Sequence, residues 1–177
     1  SFQSVWYMMS CVAEAMMELG CSDVAVELLQ PLAQTTFQEA RNATGNTFDG
    51  QVTQALLYGD LLADALNNMG RYGEALEIYS QLMDAWPEEK YWNVRYLVRM
   101  GVCAALTGNS DVVRQLLKIY GKGSAGKDIQ VFMTACLQLL DEQTLHSQTA
   151  QKLFLLTDFP GRLARDSVVL LAQTDIL

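Results

Sequence analysis

The sequence predicts an all-α protein built from antiparallel helical hairpins, and three observations lead to this prediction. Apolar residues recur at three- and four-residue spacing along most of the chain, which is typical of helices with one buried face. Gly20, Gly70 and Gly108 each stand between two such runs, where a short turn would join a helix to its antiparallel mate. Only 3 of the 177 residues are proline, so little in the chain opposes helix formation.

The clearest hairpin lies between residues 59 and 87, in the stretch GDLLADALNNMGRYGEALEIYSQLMDAWP. Its first half places apolar residues on one helical face, and Gly70 ends that helix because glycine adopts the left-handed conformation at low cost. Its second half is another amphipathic run, which Pro87 closes. Two helices joined by so short a turn share a seam, and we expect small Ala75 and large Tyr79 to lie in it.

This hairpin resembles a known repeat family. Five of its residues match the tetratricopeptide repeat pattern at fixed spacing: Leu62, Gly70, Ala75, Tyr79 and Pro87. Three positions depart from that pattern, since Gly59, Ala63 and Leu66 stand where it has tryptophan, glycine and tyrosine. The resemblance implies a right-handed α-solenoid of stacked antiparallel hairpins.

Two further repeats of this kind flank the central one, which spans residues 51–87. The first covers residues 3–41, where Gly20 precedes Ala25 by the same interval that separates Gly70 from Ala75. Because these two turn glycines are farther apart than the usual repeat of about 34 residues, we expect residues 42–50 to form a loop. The third repeat, over 88–120, is looser and turns at Gly108.

The remainder of the chain is predicted to complete the stack. Residues 128–157 have the pattern of a degenerate hairpin without a turn glycine. Residues 161–177 are predicted to form a capping helix, since a solenoid needs a terminal element over its last apolar face. We therefore expect a single repeat domain over 1–177. Because the chain begins with Ser rather than Met, we also expect it to be a fragment of a larger protein.

Composition disfavours several classes of partner and location. The net charge is −8, from 20 acidic and 12 basic residues, which argues against nucleic acid and anionic membranes as partners. No apolar run is long enough to span a bilayer. The four cysteines have no paired spacing, and Cys11, Cys103 and Cys136 lie in apolar helical runs, so we expect buried reduced thiols rather than disulfides or a metal site. A reducing, cytoplasmic compartment follows from this expectation.

Catalytic motifs are weak in this chain. The stretch GKGSAGKD at residues 121–128 nearly spells a phosphate-binding loop, but Asp128 stands where the motif needs Ser or Thr, and a helical pattern precedes it in place of a strand. The lone His146 has no cysteine or serine partner at a recognisable spacing. We therefore expect no enzymatic activity, no metal and no cofactor.

The resemblance also implies a binding surface, because tetratricopeptide arrays line a concave groove with the first helix of each hairpin. Transferred by position from the turn glycines, the groove residues are Glu14, Met17, Glu18, Asp60, Asp64, Asn67, Asn68, Val98 and Val102. Within this set the four residues from Asp60 to Asn68 also form one polar helical stripe. A merely solvated face explains that stripe equally well.

The sequence therefore predicts a non-catalytic interaction or scaffold module that binds a protein segment in an acidic and apolar groove. Acids and amides at these positions suit a segment with basic and apolar residues, and they disfavour peptides held by a terminal carboxylate. Two alternatives stay open. The chain is a structural section of a longer solenoid in a multiprotein complex, or it is the regulatory arm of an enzyme whose catalytic domain lies elsewhere.

Overall fold

The fold is all-helical in the part of the chain that the structure, a computed structural model, describes, namely residues 2–122 and 126–156. This confirms the all-α prediction. The helices are α1 (Phe2–Glu18), α2 (Ser22–Asn42), α3 (Phe48–Asn68), α4 (Tyr72–Ala85), α5 (Val94–Leu106), α6 (Ser110–Tyr120), α7 (Gly126–Glu142) and α8 (Ser147–Phe154). The capping helix expected over 161–177 lies outside the described residues, and the solenoid arrangement stays a prediction.

The chain divides into two compact units, one ending at Tyr91 and one beginning at Trp92. The first unit contains α1 to α4, in which α3 packs against α1, α2 and α4. The second contains α5 to α8, in which α7 packs against α5, α6 and α8. The single repeat domain expected over 1–177 stays a prediction.

The predicted glycine turns are confirmed, and the three turns share one geometry. Gly20, Gly70 and Gly108 have φ angles of +79°, +73° and +70°, which an L-residue adopts only at a cost. In each case a helix ends two residues before the glycine and the next helix begins two residues after it. The residue after each glycine also donates a backbone hydrogen bond to the preceding helix, as from Arg71 N to Leu66 O at 2.9 Å.

The seam between α3 and α4 contains both residues that the sequence placed there. Ala75 is fully buried and Tyr79 is 1% exposed. Gly59 on α3 faces Ile78 and Leu82 of α4, and a Cβ atom at this glycine would lie 2.5 Å from Cδ1 of Leu82. Glycine at a position where the repeat pattern has tryptophan therefore permits close approach of these two helices.

The expected loop over 42–50 is wrong, because most of this segment is helical. α2 extends to Asn42, a short 3₁₀ turn spans Gly45–Thr47, and α3 starts at Phe48. The wide spacing between the first two turn glycines is thus accommodated by two helices of 21 residues each. Asp49 in the first turn of α3 accepts hydrogen bonds from Lys90 and Tyr91, which joins the end of this unit to the start of α3.

In the second unit a glycine again allows two helices to pack closely. Gly101 on α5 lies against α7, where a Cβ atom would approach Cε of Met133 to 2.6 Å. Asn109 caps α6 by accepting a hydrogen bond from the backbone N–H of Val112 at 3.3 Å. Gln143, directly after α7, adopts a positive φ of 53° although it is not a glycine.

The four cysteines, all among the described residues, form no disulfides, but their burial differs from the expectation. Cys103 and Cys136 are buried, and desolvation raises the pKa of the Cys136 thiol. Cys11 is exposed, so its predicted burial is wrong. α1 is apolar on more than one side, and it buries the side that carries Ala13 instead.

Candidate functional site: a groove between α2 and α4

The structure brings together only part of the groove set that the sequence predicted. Glu14, Glu18 and Asn68 are exposed, whereas Met17, Asp64, Asn67 and Val102 are half-buried. Met17 and Asn68 line one shallow depression where the two turns of the first unit meet. Val98 is 1% exposed in the second unit, which makes it a core residue there.

Asp60 departs most clearly from its expected place. Its side chain is 1% exposed, so its predicted place on an accessible groove surface is wrong. The hydroxyl of Tyr79 donates a hydrogen bond of 2.6 Å to Oδ1 of Asp60. A buried carboxylate needs such a donor, because desolvation disfavours an unpaired charge. The role of Asp60 described by the structure is therefore within the α3–α4 seam.

A different concave surface is better formed, and all of it lies in the first unit. It is a groove between α2 and α4, with α3 as its floor and a volume of about 400 Å³. The floor consists of small and aliphatic residues at helical spacing along α3: Ala55, Gly59, Leu62 and Leu66. On α2 the lining runs from Val26 to Gln38, which corresponds to a length of about 18 Å at the helical rise per residue.

Both walls of the groove are apolar near the floor and polar at the rim. Val26, Ala33 and Phe37 line the α2 side, and above them stand three exposed glutamines one turn apart, Gln30, Gln34 and Gln38. On α4, Ile78 and Leu82 lie near the floor of the groove, and Glu74, Glu77 and Gln81 are exposed at its rim. This layering suits an occupant with one apolar face and polar flanks.

The charges at the rim are predominantly negative. Arg71 contributes a cation, but it forms a two-point pair with Glu74, with nitrogen–oxygen distances of 2.7 and 2.6 Å. This hydrogen bonding lowers the pKa of Glu74 and raises that of Arg71. Glu77, on the same wall, is also exposed. The rim therefore presents carboxylate to an incoming partner.

The groove continues toward the C-terminal ends of α2 and α4. There Phe37 meets Trp86 edge to face, with ring centroids 5.2 Å apart. Beyond this ring pair lies a second, more open depression that also contains Arg41, Asp84 and Glu88. Shared residues connect the two depressions, so we use "the groove" for both.

The sequence distributes its charge unevenly between the two units. Residues 1–91 contain 13 acidic and 3 basic residues, a net charge of −10. Residues 92–177 contain 7 acidic and 9 basic residues, a net charge of +2. The groove therefore lies in a strongly negative unit, whose field attracts cationic partners and speeds their association.

Sequence reasoning missed this groove because it assigned binding to the first helix of each hairpin. The walls come instead from the second helices, α2 and α4. One signal was present, since Gln30, Gln34 and Gln38 follow each other at four-residue spacing beside apolar Ala33 and Phe37. The depression itself depends on how far apart α2 and α4 lie, and the pattern of one helix does not encode that distance.

The described ranges contain little evidence for other kinds of functional site. Across residues 2–122 and 126–156, no three His, Cys, Asp or Glu residues are placed to share a metal ion. Helices in the same ranges all fall short of the length and apolarity needed to cross a membrane. α6 precedes the stretch at 121–128, as expected, although residues 123–125 lie outside the described part. His146 stands just before α8, with Nε2 2.8 Å from a carboxylate oxygen of Glu142.

No protein-family model matches this chain, and comparisons with curated proteins and with solved structures give no match. A function for this chain therefore has to be inferred from the chemistry of the groove.

Proposed function

We propose that this chain is a non-catalytic interaction module of tetratricopeptide-like hairpins, and that its groove binds an amphipathic α-helix of a partner protein. The helix carries aliphatic residues on one face and Lys or Arg beside them. The observation that supports this most strongly is the layering of the groove, in which an apolar floor on α3 lies between two polar rims. Recognition of a helix in a groove relies on this combination.

The dimensions favour a helix that lies over the groove and inserts one row of side chains. The floor residues repeat at helical spacing and lie in one row along α3. Apolar side chains at positions i, i+3 or i+4, and i+7 of a partner helix form a row of similar spacing that can pack on them. A length of about 18 Å corresponds to about 12 helical residues. A volume of about 400 Å³ is suited to a row of inserted side chains, while the backbone of the partner helix stays above the rim.

The charges favour a cationic partner. Exposed carboxylates of Glu77, Asp84 and Glu88 border the groove, and the unit that contains them has a net charge of −10. Lys or Arg beside the apolar face of the partner would meet these groups. Such rim contacts contribute chiefly to association rate and specificity, and they weaken as salt screens them.

The lining residues support a binding role without a chemical step. The deeper part of the groove is lined by Val, Ala, Leu, Ile, Phe, Gly, Gln, Glu and Arg. These types include no Ser, Thr, Cys, Lys or His, and Arg71 is already paired with Glu74. The glutamines of the α2 wall both donate and accept hydrogen bonds, so they can satisfy polar groups on the flank of the bound helix.

A charge-reversal experiment tests this proposal. The probe is a synthetic, fluorescently labelled helix of about 16 residues with leucine on one face and lysine on the flanks, and its affinity is measured by anisotropy. Glu77→Lys with Asp84→Lys changes two rim charges. Glu27→Lys with Glu39→Lys makes the same change in net charge at exposed positions of α2 outside the groove. We expect the rim pair to weaken binding about tenfold or more, and the control pair to have a much smaller effect.

Two results would contradict the proposal. Equal losses for the two pairs would assign binding to bulk charge attraction, and absence of binding by wild type at low salt would leave the groove without its proposed occupant. A scrambled peptide of the same composition, which cannot form an apolar face, should bind at least about tenfold more weakly than the probe.

A further inference from the structure

The walls and the floor of the groove run in opposite directions. Phe37, near the end of α2, contacts Trp86, which directly follows α4, so both wall helices end at the same end of the groove. α3 begins there, because Phe48 lines the same depression. At the other end, the backbone N–H of Arg71 bonds to the last turn of α3. We call these two ends the aromatic end and the Arg71 end.

The helix termini make the aromatic end the more negative of the two. It has the carbonyl termini of α2 and α4 and the N–H terminus of α3. Each terminus is equivalent to about half an elementary charge, which is negative at the C-terminus and positive at the N-terminus. Two negative termini and one positive terminus leave a negative sum at the aromatic end, and the Arg71 end has the reverse balance.

The charged side chains differ between the ends in the same direction. At the aromatic end the lining contains the exposed carboxylates of Asp84 and Glu88 and one cation, Arg41. The guanidinium of Arg41 lies 5.9 Å from the ring centroid of Phe37, so a cation and an aromatic face already meet at this end. At the Arg71 end, the ion pair of Arg71 brings one cation and one carboxylate.

The tilt of helical side chains gives a second reason for one binding direction. Every Cα–Cβ bond of an α-helix is tilted toward the N-terminus, so a long side chain in the first turn reaches beyond the helix, whereas one in the last turn leans back over it. A first-turn Lys or Arg can therefore extend from a helix over α3 into the depression at the aromatic end. There its aliphatic stem meets the half-buried rings of Phe37 and Phe48, and its charged head meets Asp84 and Glu88.

We propose that the groove binds its partner helix in one direction, antiparallel to α2 and α4. The N-terminus of the partner helix lies at the aromatic end, and a Lys or Arg of its first turn occupies the depression there. The aliphatic residues that pack on α3 then follow this basic residue in the partner sequence. The inference rests on the proposed function of the groove, and it adds the order in which the partner must carry its basic and aliphatic residues.

Two peptide isomers test the direction. Each is a labelled helix of about 16 residues with blocked ends, the same leucine face and two arginines, which stand in the first turn of one isomer and in the last turn of the other. Anisotropy with the full chain should show that the first-turn isomer binds at least about fivefold more tightly. The macrodipole of a free helix favours arginine in the last turn, so this preference does not come from the helicity of the peptide itself.

Two matched variants of the chain locate the preference. Asp84→Asn with Glu88→Gln removes two charges at the aromatic end, and it should reduce the preference to about twofold or less. Glu27→Gln with Glu39→Gln removes two exposed charges of α2 outside the groove lining, and the preference should stay at about fivefold or more. Circular dichroism establishes that each variant is folded. Equal effects of the two pairs would assign the preference to bulk charge and overturn the inference.

A photo-crosslinker on the peptide reports the direction itself. A benzophenone side chain at the first residue of the first-turn isomer should attach to residues 37–41 or 81–88, which mass spectrometry of the digested product identifies. These segments line the depression at the aromatic end. Attachment to residues 26–30 or 66–74 would place the N-terminus of the peptide at the Arg71 end and would contradict the proposed direction.

The remaining outcomes separate this inference from the function on which it rests. If the two isomers bind equally and Ala33→Trp weakens both, the groove binds helices in either direction, so the inference is wrong and the proposed function stands. If neither isomer binds wild type at low salt, the inference and the proposed function are both wrong.

Discussion

The hydroxyl of Tyr79 donates a hydrogen bond of 2.6 Å to Oδ1 of Asp60, and both side chains are buried between α3 and α4. This bond explains how an aspartate can lie within the apolar seam of a helical hairpin. Removing a carboxylate from water is costly, and a buried hydroxyl donor offsets part of that cost. The pair also ties together two helices on either side of the turn at Gly70.

Substitution of Tyr79 by phenylalanine should therefore destabilise the protein. The variant keeps the ring and removes only the hydroxyl, so the loss of a hydrogen bond to a carboxylate should lower the free energy of unfolding by about 1.5–3 kcal/mol. Urea denaturation followed by circular dichroism measures this change. Tyr72→Phe, at the first position of α4, is the control and should have little effect. Equal stabilities of the two variants would show that the bond contributes nothing.

Alanine substitutions at Gly70 and Gly73 should change stability in opposite directions. Neither glycine has any atom within 4 Å of the position of a Cβ, so steric contact is not the cause in either case. Gly70 has a φ of +73°, where alanine costs about 1–2 kcal/mol. Gly73 lies in the first turn of α4, where alanine should gain up to about 1 kcal/mol. Thermal melts of the two variants check this, and shifts of the same sign would contradict it.

Acid should weaken the contact of Asp49 with Lys90 and Tyr91. The hydrogen bonds from Tyr91 and then Lys90 hold the pKa of Asp49 below its usual value. A lowered pKa means that the contact stabilises the fold fully above the unfolded value of about 3.9 and is lost as pH falls below it. The advantage of wild type over Asp49→Asn in melting temperature should thus shrink between about pH 6 and pH 3. Asp84→Asn is the control, and an advantage that grows with acid would contradict the account.

The helical turns were predictable because their determinants are local. A turn residue with φ near +70° strongly favours glycine, and Gly20, Gly70 and Gly108 stand in the three turns with this geometry. Asn109 is a cap for the same local reason, since its side chain reaches the backbone of the first turn of α6. Such features need no knowledge of the rest of the fold.

Burial and the groove were less predictable because they depend on neighbours. Asp60 fits a polar stripe on α3, and only the position of Tyr79 on the next helix makes it a buried residue. Cys11 lies in an apolar run, yet α1 has more apolar surface than its packing covers, so the thiol is exposed. The groove requires the separation of α2 and α4, which belongs to the packing of three helices.

Filling the groove tests the central claim most directly. Ala33 is half-buried and lines the α2 wall, whereas Thr35 is exposed and lies outside the groove lining. Binding of the leucine–lysine helix is measured by anisotropy to Ala33→Trp and to Thr35→Trp, two variants with the same added ring on the same helix. If the helix binds in the groove, Ala33→Trp weakens it about tenfold or more and Thr35→Trp leaves it within about twofold of wild type. Undiminished binding by a folded Ala33→Trp variant would contradict the assignment of the groove as the binding site.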